Sequence, residues 1–239
     1  MEIFDRHGLL VTRFSPQVFP DEAEAALGLL MSLKVRRDDW EPVTSYQRSA
    51  LLLKWARIAG TSMDVKDVML ARQMDWEGRV YDFDGFTLKH AVLSEDLYTG
   101  LPMVFEQAAD SSEFQIQLDH VVSLSDAFTS GGWRWKPSGY NWSRFVNAAG
   151  NLIAVSRVVN AVKGDKNAAQ WLPGNTVHDF RRRFVVLQVQ VKARYNTVYG
   201  KLSITGAPRC WRRLRSRCGR APQCADRRRR RTGAGCVCR

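Results

Sequence analysis

The chain has 239 residues, 45% of them apolar and 10% aromatic, which allows a sizeable core and falls within the range of ordinary globular proteins. Its formal net charge of +12 is unevenly spread: residues 208–239 carry twelve Arg against one Asp, giving +11, so residues 1–207 are left nearly neutral at +1. No apolar run reaches the roughly 18 residues of a membrane span, and all five cysteines lie after residue 208, so the body has none with which to build a disulfide.

Residues 1–20, with Pro16 and Pro20 and little periodicity, read as an irregular lead-in. From Asp21, taken as an N-cap, the run EAEAALGLLMSL places Ala26, Leu29, Leu30 and Leu33 on one helical face. Trp40 to Pro42 breaks that helix. Ser45 then precedes YQRSALLLKWARIAG, where Leu51, Leu52, Trp55 and Ile58 predict a second helix that Gly60 ends. A third helix is predicted over Asp64 to Met74, with Val65, Val68, Met69 and Arg72 at the same spacing. From Phe83 the period becomes two, and GFTLKHAVL, SEDLYTG and LPMVFE read as a β-hairpin with a long turn. His90 falls in this hairpin, where the plainer reading is a histidine on a strand face.

The chain is organised around residues 117–173. The strand-like run FQIQLDHVV ends on Asp119-His120, and SLSDAFTSGG follows as a short helix closed by Gly131 and Gly132. In the next connection, Trp133, Trp135, Tyr140 and Trp142 could stack on exposed bases; the commoner role of such a cluster is to cover a small core. A second apolar run, Leu152 to Val155, follows Asn151 and leads into a short polar helix holding Asn160 and Lys163. An acid, an imidazole and an amide on a strand, strand, helix plan can hold one hard cation beside one base, the requirement of phosphodiester hydrolysis. A long helix over Thr176 to Tyr199 should turn Phe180, Phe184, Leu187 and Val191 inward. Arg181, Arg182, Arg183, Lys192 and Arg194 are then left outward, as solvated charge or as a phosphate-positioning surface.

The blocks LDHVVSLSDAF, FVNAAGNLIAV and NAVKGDKNAAQWLP resemble the HNH nucleases of the ββα-metal class, and within it an actinobacterial family with DHVVPLA, FANDPxNL and NxxKGDKDxxxWLPP blocks. Upstream, SYQR, MDVKDVMLAR and LSEDLYTG are similar to further segments of that family, so the likeness covers nearly all of residues 27–199. It implies an α+β fold: a ββα-metal core with an added β-hairpin and surrounding helices. The implied organisation is a helical and hairpin elaboration over 21–110, the nuclease core and C-terminal helix over 111–207, and a disordered tail over 208–239.

The resemblance also implies roles. His120 would be the general base and Asp119 a metal ligand. Asn151 would tie the loop that orients the histidine, and Asn160 would be the second protein ligand to one Mg²⁺ or Mn²⁺, cations suited to oxygen donors. Lys163, one turn past Asn160, would neutralise phosphate charge. Arg157, Lys166, Arg181 and Arg182 are the candidate contacts to DNA, the expected partner. Activity should rise with pH through the histidine's ordinary value of about 6.5. Departures from the family pattern are Ser123 for Pro, Met63 for Cys, Lys66 for Arg and Asn167 for Asp; none removes a ligand or the base.

The start MEIFDRHGLLVTRF is acidic in places and lacks a long apolar stretch, so a cytoplasmic chain is expected, or a secreted one whose signal peptide lies upstream. No membrane partner is expected. The Arg-rich tail reads either as a basic arm that holds DNA or as a frameshifted end. The abrupt stop of the resemblance near Ala207 and the lack of zinc-ligand spacing favour the second. From a different class altogether, the chain could be a catalytically silent nucleic-acid-binding protein that uses this tail.

Overall fold

The computed structural model describes residues 3–4, 10–11, 19–33, 45–74, 80–82, 85–87, 90–106, 115–174 and 180–199. The tail and residues 176–179 of the predicted long helix lie outside the described residues. In chain order the elements are β1 (Ile3–Phe4), β2 (Leu10–Val11), α1 (Pro20–Ser32), α2 (Val65–Gln73), β3 (Val80–Asp82), β4 (Gly85–Thr87), β5 (His90–Leu93) and β6 (Met103–Glu106). There follow β7 (Ile116–His120), α3 (Leu124–Thr129), α4 (Tyr140–Val146), β8 (Leu152–Ser156), α5 (Arg157–Lys163) and α6 (Phe180–Tyr199). The strands pair antiparallel as β1–β2, β3–β4, β5–β6 and β7–β8, and with the helices they make an α+β protein. The lead-in is thus not wholly irregular, since β1 and β2 pair within it.

Helix α1 begins one residue before the expected cap, at Pro20. Proline suits a first helical position because its missing N–H would be unsatisfied there anyway, and Asp21 and Glu22 then lie in the first turn, at the positive end of the helix dipole. Its inward face is Ala23, Ala26, Leu30 and Leu33; Leu29 is exposed, against expectation. Helix α2 begins as the sequence predicts: Asp64 caps it, its carboxylate accepting from the Asp67 amide at 3.0 Å while Asp67 accepts from the Asp64 amide at 3.1 Å.

The predicted second helix does not form. Only a 3₁₀ turn, Ser49–Leu51, is present, and it stops at Leu52, which has φ of 50° in the left-handed region. Other bonds displace the helical ladder: the Ala56 amide donates to Asn147 Oδ1 at 2.8 Å, Asn147 Nδ2 donates to the Lys54 carbonyl at 3.2 Å, and the backbone of Arg57 pairs with that of Asp64 in an isolated antiparallel bridge. The spaced apolar residues are instead held without a helix: Leu51 is buried in the tryptophan cluster, and Trp55 packs against that cluster and stacks on His120.

One core joins the N-terminal helix to the central strands: Ala26, Leu30 and Leu33 pack with Tyr98, Val121, Ile153, Val155, Phe180 and Phe184. All five residues of β8 are buried, which explains its uninterrupted apolar run. A second cluster is built on Trp135, Trp142, Phe145, Phe128 and Tyr195, so Trp135 and Trp142 fill a core. Tyr140 alone of the four aromatics is well exposed, with the Arg144 guanidinium over its ring.

Helix α6 is buried on most sides, because Val185, Val186, Val189 and Ala193 complete the apolar surface begun by Phe180 and Phe184. Two of its expected outward cations therefore turn inward and take carboxylate partners. Arg183 makes a two-pronged contact with Glu22 of α1 at 3.1 and 3.0 Å, and Lys192 meets Asp126 of α3 at 2.9 Å and Ser130 at 3.1 Å. Neither belongs to a basic outer face; Arg194 is exposed.

Candidate functional site

Strands β7 and β8 run antiparallel with Asp119 opposite Ile153 and His120 opposite Leu152, and α5 follows β8 directly. Asn151, fully buried, clasps the loop after His120: its Oδ1 accepts from the Val122 amide at 2.8 Å, its Nδ2 donates to the Val122 carbonyl at 3.3 Å, and its own carbonyl accepts from Val121. Ser123, standing where the resembling family has Pro, caps α3 through the Asp126 amide and donates to the Asp165 carbonyl beyond α5. The outer edge of β8 is held by Gln73 of α2, which bonds both the Leu152 carbonyl and the Ala154 amide. Gly164 ends α5 at φ of 54°, a conformation that glycine adopts without strain.

His120 lies in an aromatic slot. Its ring is stacked 5.7 Å from Trp55 and 6.4 Å from Phe145, both within 6° of parallel. Its Nε2 is 3.0 Å from the carbonyl of Val146, the last residue of α4; a carbonyl only accepts, so Nε2 carries the hydrogen and Nδ1 is left with the lone pair. Burial pushes the imidazole down to about 4; the Val146 carbonyl works against this, and the positive charges of Lys163 and Arg48 add to it. The ring is thus neutral across the physiological range.

This shift has a sign that stability can report. Between its ordinary value of 6.5 and about 4, the histidine is protonated in the unfolded chain and neutral in the folded one. The unfolded state then binds more protons, so stability is complete above that window and falls as pH drops through it, by on the order of 3 kcal/mol over its whole width. Urea midpoints of wild type and His120→Gln at neutral and mildly acid pH should diverge, the wild type losing more; parallel losses would rule out a buried neutral imidazole.

Neighbouring residues on a strand face opposite ways, and this separates two groups that the sequence reading brings together. Asp119 turns away from the His120 slot. Its Oδ2 accepts from the Tyr98 hydroxyl at 2.6 Å, and Lys163 Nζ stands 3.1 Å from Oδ1 and 2.8 Å from Oδ2 while also donating to the His120 carbonyl at 2.9 Å. Burial pushes the Asp119 carboxyl above its ordinary value, with the Lys163 ammonium and then the Tyr98 hydroxyl pulling it back. Tyr98 is held well above the usual phenol value by burial and by the Asp119 charge, so it remains a donor. Lys163 is 0% exposed, so its ammonium, expected at a phosphate, is held inside the protein against Asp119.

Asn160 lies on the same side of α5 as Lys163 and docks on the same side of β7, its Nδ2 donating to Gln117 Oε1 at 3.2 Å. Asp119 and Asn160 supply the carboxylate and amide oxygens that Mg²⁺ or Mn²⁺ prefers. As placed, however, they do not fit a divalent cation, because the Lys163 ammonium holds both oxygens of Asp119. Among the described residues no group of three His, Cys, Asp or Glu could hold a metal ion. Of the candidate DNA contacts, Arg157 opens α5 and is half-buried, and Lys166 is exposed with its Nζ on the Val162 carbonyl. Arg181 donates to the Pro173 carbonyl, and Arg182 is half-buried on the first turn of α6.

Two residues of the site were not singled out from sequence. Tyr98 reaches Asp119 because buried Asp96 organises the hairpin turn, accepting from the Tyr98 amide and the Thr99 hydroxyl, with Gly100 at φ of 76°. Trp55, which the spacing places on a helix face, stacks on the His120 ring instead. The first carried a signal in its LYTG segment, whereas the second carried none beyond its size.

No family model matches the chain, and no solved structure matches it. It is similar to an uncharacterized secreted protein of Arthroderma benhamiae, 29% identical over 187 residues that cover 77% of this chain and 80% of that protein.

Proposed function

We propose that this protein hydrolyses phosphodiester bonds of DNA as an endonuclease of the HNH, ββα-metal class, with His120 as the general base. The observation that carries the reading is the arrangement of one unit: β7 ends on Asp119-His120, Asn151 clasps the loop beyond, and α5 lays Asn160 against Gln117 of the same strand. The ordered sequence blocks of the same stretch support it.

The chemistry available to His120 is proton removal from water. Nδ1 holds a lone pair, the ring is neutral near pH 7, and the Val146 carbonyl stabilises the imidazolium that forms when the proton arrives. The resulting hydroxide attacks phosphorus, and the leaving oxygen departs with a proton from solvent. Trp55 and Phe145 fix the ring plane, so orientation is set before substrate arrives.

A catalytically silent nucleic-acid-binding protein is the second reading, and the closed Lys163–Asp119 pair is the observation in its favour. Incubating the full chain with supercoiled plasmid, with Mg²⁺ or Mn²⁺ and with chelator, separates the two. Nicking in any arm supports the hydrolase; DNA retention without nicking in every arm overturns it. For location, the secreted relative favours an extracellular protein over a cytoplasmic one. Among the described residues no helix is long and apolar enough to cross a membrane.

A further inference from the structure

We propose that Lys163 is a tethered cation occupying the place at Asp119 that a divalent ion would take, so that such an ion binds there only by displacing it. The inference rests on the nuclease reading for its expectation of a cation at this carboxylate. It rests on geometry for the competition. Both oxygens of Asp119 lie within 3.1 Å of Lys163 Nζ, and the same ammonium donates to the His120 carbonyl at 2.9 Å. The lysine is fully buried and Asp119 nearly so, and the Tyr98 hydroxyl donates to the same carboxylate at 2.6 Å.

Two positive groups on one buried carboxylate repel each other in a medium that screens poorly. A divalent ion and the ammonium are therefore alternatives. The exchange is mechanically simple, because a lysine head rides on four rotatable carbons. Asn160 lies one turn before Lys163, and with its Nδ2 committed to Gln117 its side-chain oxygen is the atom a hard cation would use. Exchange would then move the Lys163 ammonium out of the interior while Asp119 keeps a cationic partner.

Manganese binding followed by the loss of the free-ion electron paramagnetic resonance signal tests this on the full chain. Lys163→Met should bind Mn²⁺ about tenfold more tightly than wild type or better, since apparent affinity falls with the fraction of molecules whose site is open. Adding Asp119→Asn to that variant should abolish the gain. Equal affinity of Lys163→Met and wild type, or a gain that survives Asp119→Asn, overturns the proposal. Should Lys163→Met fail to fold, reductive methylation of the wild type decides: Mg²⁺ should raise labelling of Lys163 several-fold, and labelling that Mg²⁺ leaves unchanged overturns it. Competition at Asp119 without plasmid nicking would sink the nuclease reading and leave this one standing.

Discussion

On the proposed nuclease reading, replacing His120 with alanine lowers the single-turnover rate of plasmid nicking by about 10²-fold or more, the usual worth of a positioned base. Melting temperature will fall as well, because the imidazole is buried against Trp55 and Phe145 and its truncation leaves a void beside them. The rate is therefore to be normalised to the folded fraction, and His120→Gln, which keeps more of the volume, supplies the control. A base predicts that both variants lose the rate while only the alanine loses much stability. A merely packed histidine predicts losses in stability alone, and near wild-type rates per folded molecule would remove His120 from the reaction. At neutral pH the wild-type rate should be flat with respect to this group, since the ring loses its proton near 4.

The elements around this histidine were legible because their signals are local. An apolar run ending on Asp119-His120, a continuous apolar run for a strand buried on both faces, and the cap at Asp64 each specify a segment from within it. Failure came where distant partners decide. The helical spacing of Leu51, Leu52, Trp55 and Ile58 was overridden by hydrogen bonds to Asn147, 91 residues from Ala56. Arg183 and Lys192 read as outward charges because their carboxylates, Glu22 and Asp126, lie 161 and 66 residues away. For the same reason the sequence could list Asp119, His120, Asn160 and Lys163 as one constellation without showing how the strand divides it. Alternation sends Asp119 to Tyr98 and Lys163 and His120 to Trp55 and Phe145, so the acid and the base do not share a face.

That division makes Asp119 a structural residue whatever its role in chemistry, and its removal should have the largest effect on stability. Asp119→Ala leaves the fully buried ammonium of Lys163 with the His120 carbonyl as its remaining strong partner and strips the Tyr98 hydroxyl of its acceptor. Breaking a buried pair from one side costs about 3–5 kcal/mol, which for a domain of this size corresponds to roughly 6–20 °C in melting temperature. Removing both charges behaves differently. Asp119→Leu with Lys163→Met replaces the pair with apolar groups of similar bulk, and such replacements are often neutral or stabilising, so the double variant should recover most of what Asp119→Ala loses. Thermal unfolding of the two single variants and the double one closes a cycle whose coupling term measures the pair directly. Melting temperatures for Asp119→Ala within a degree or two of wild type would mean that Lys163 does not depend on this carboxylate, and the tethered-cation proposal would fall with it.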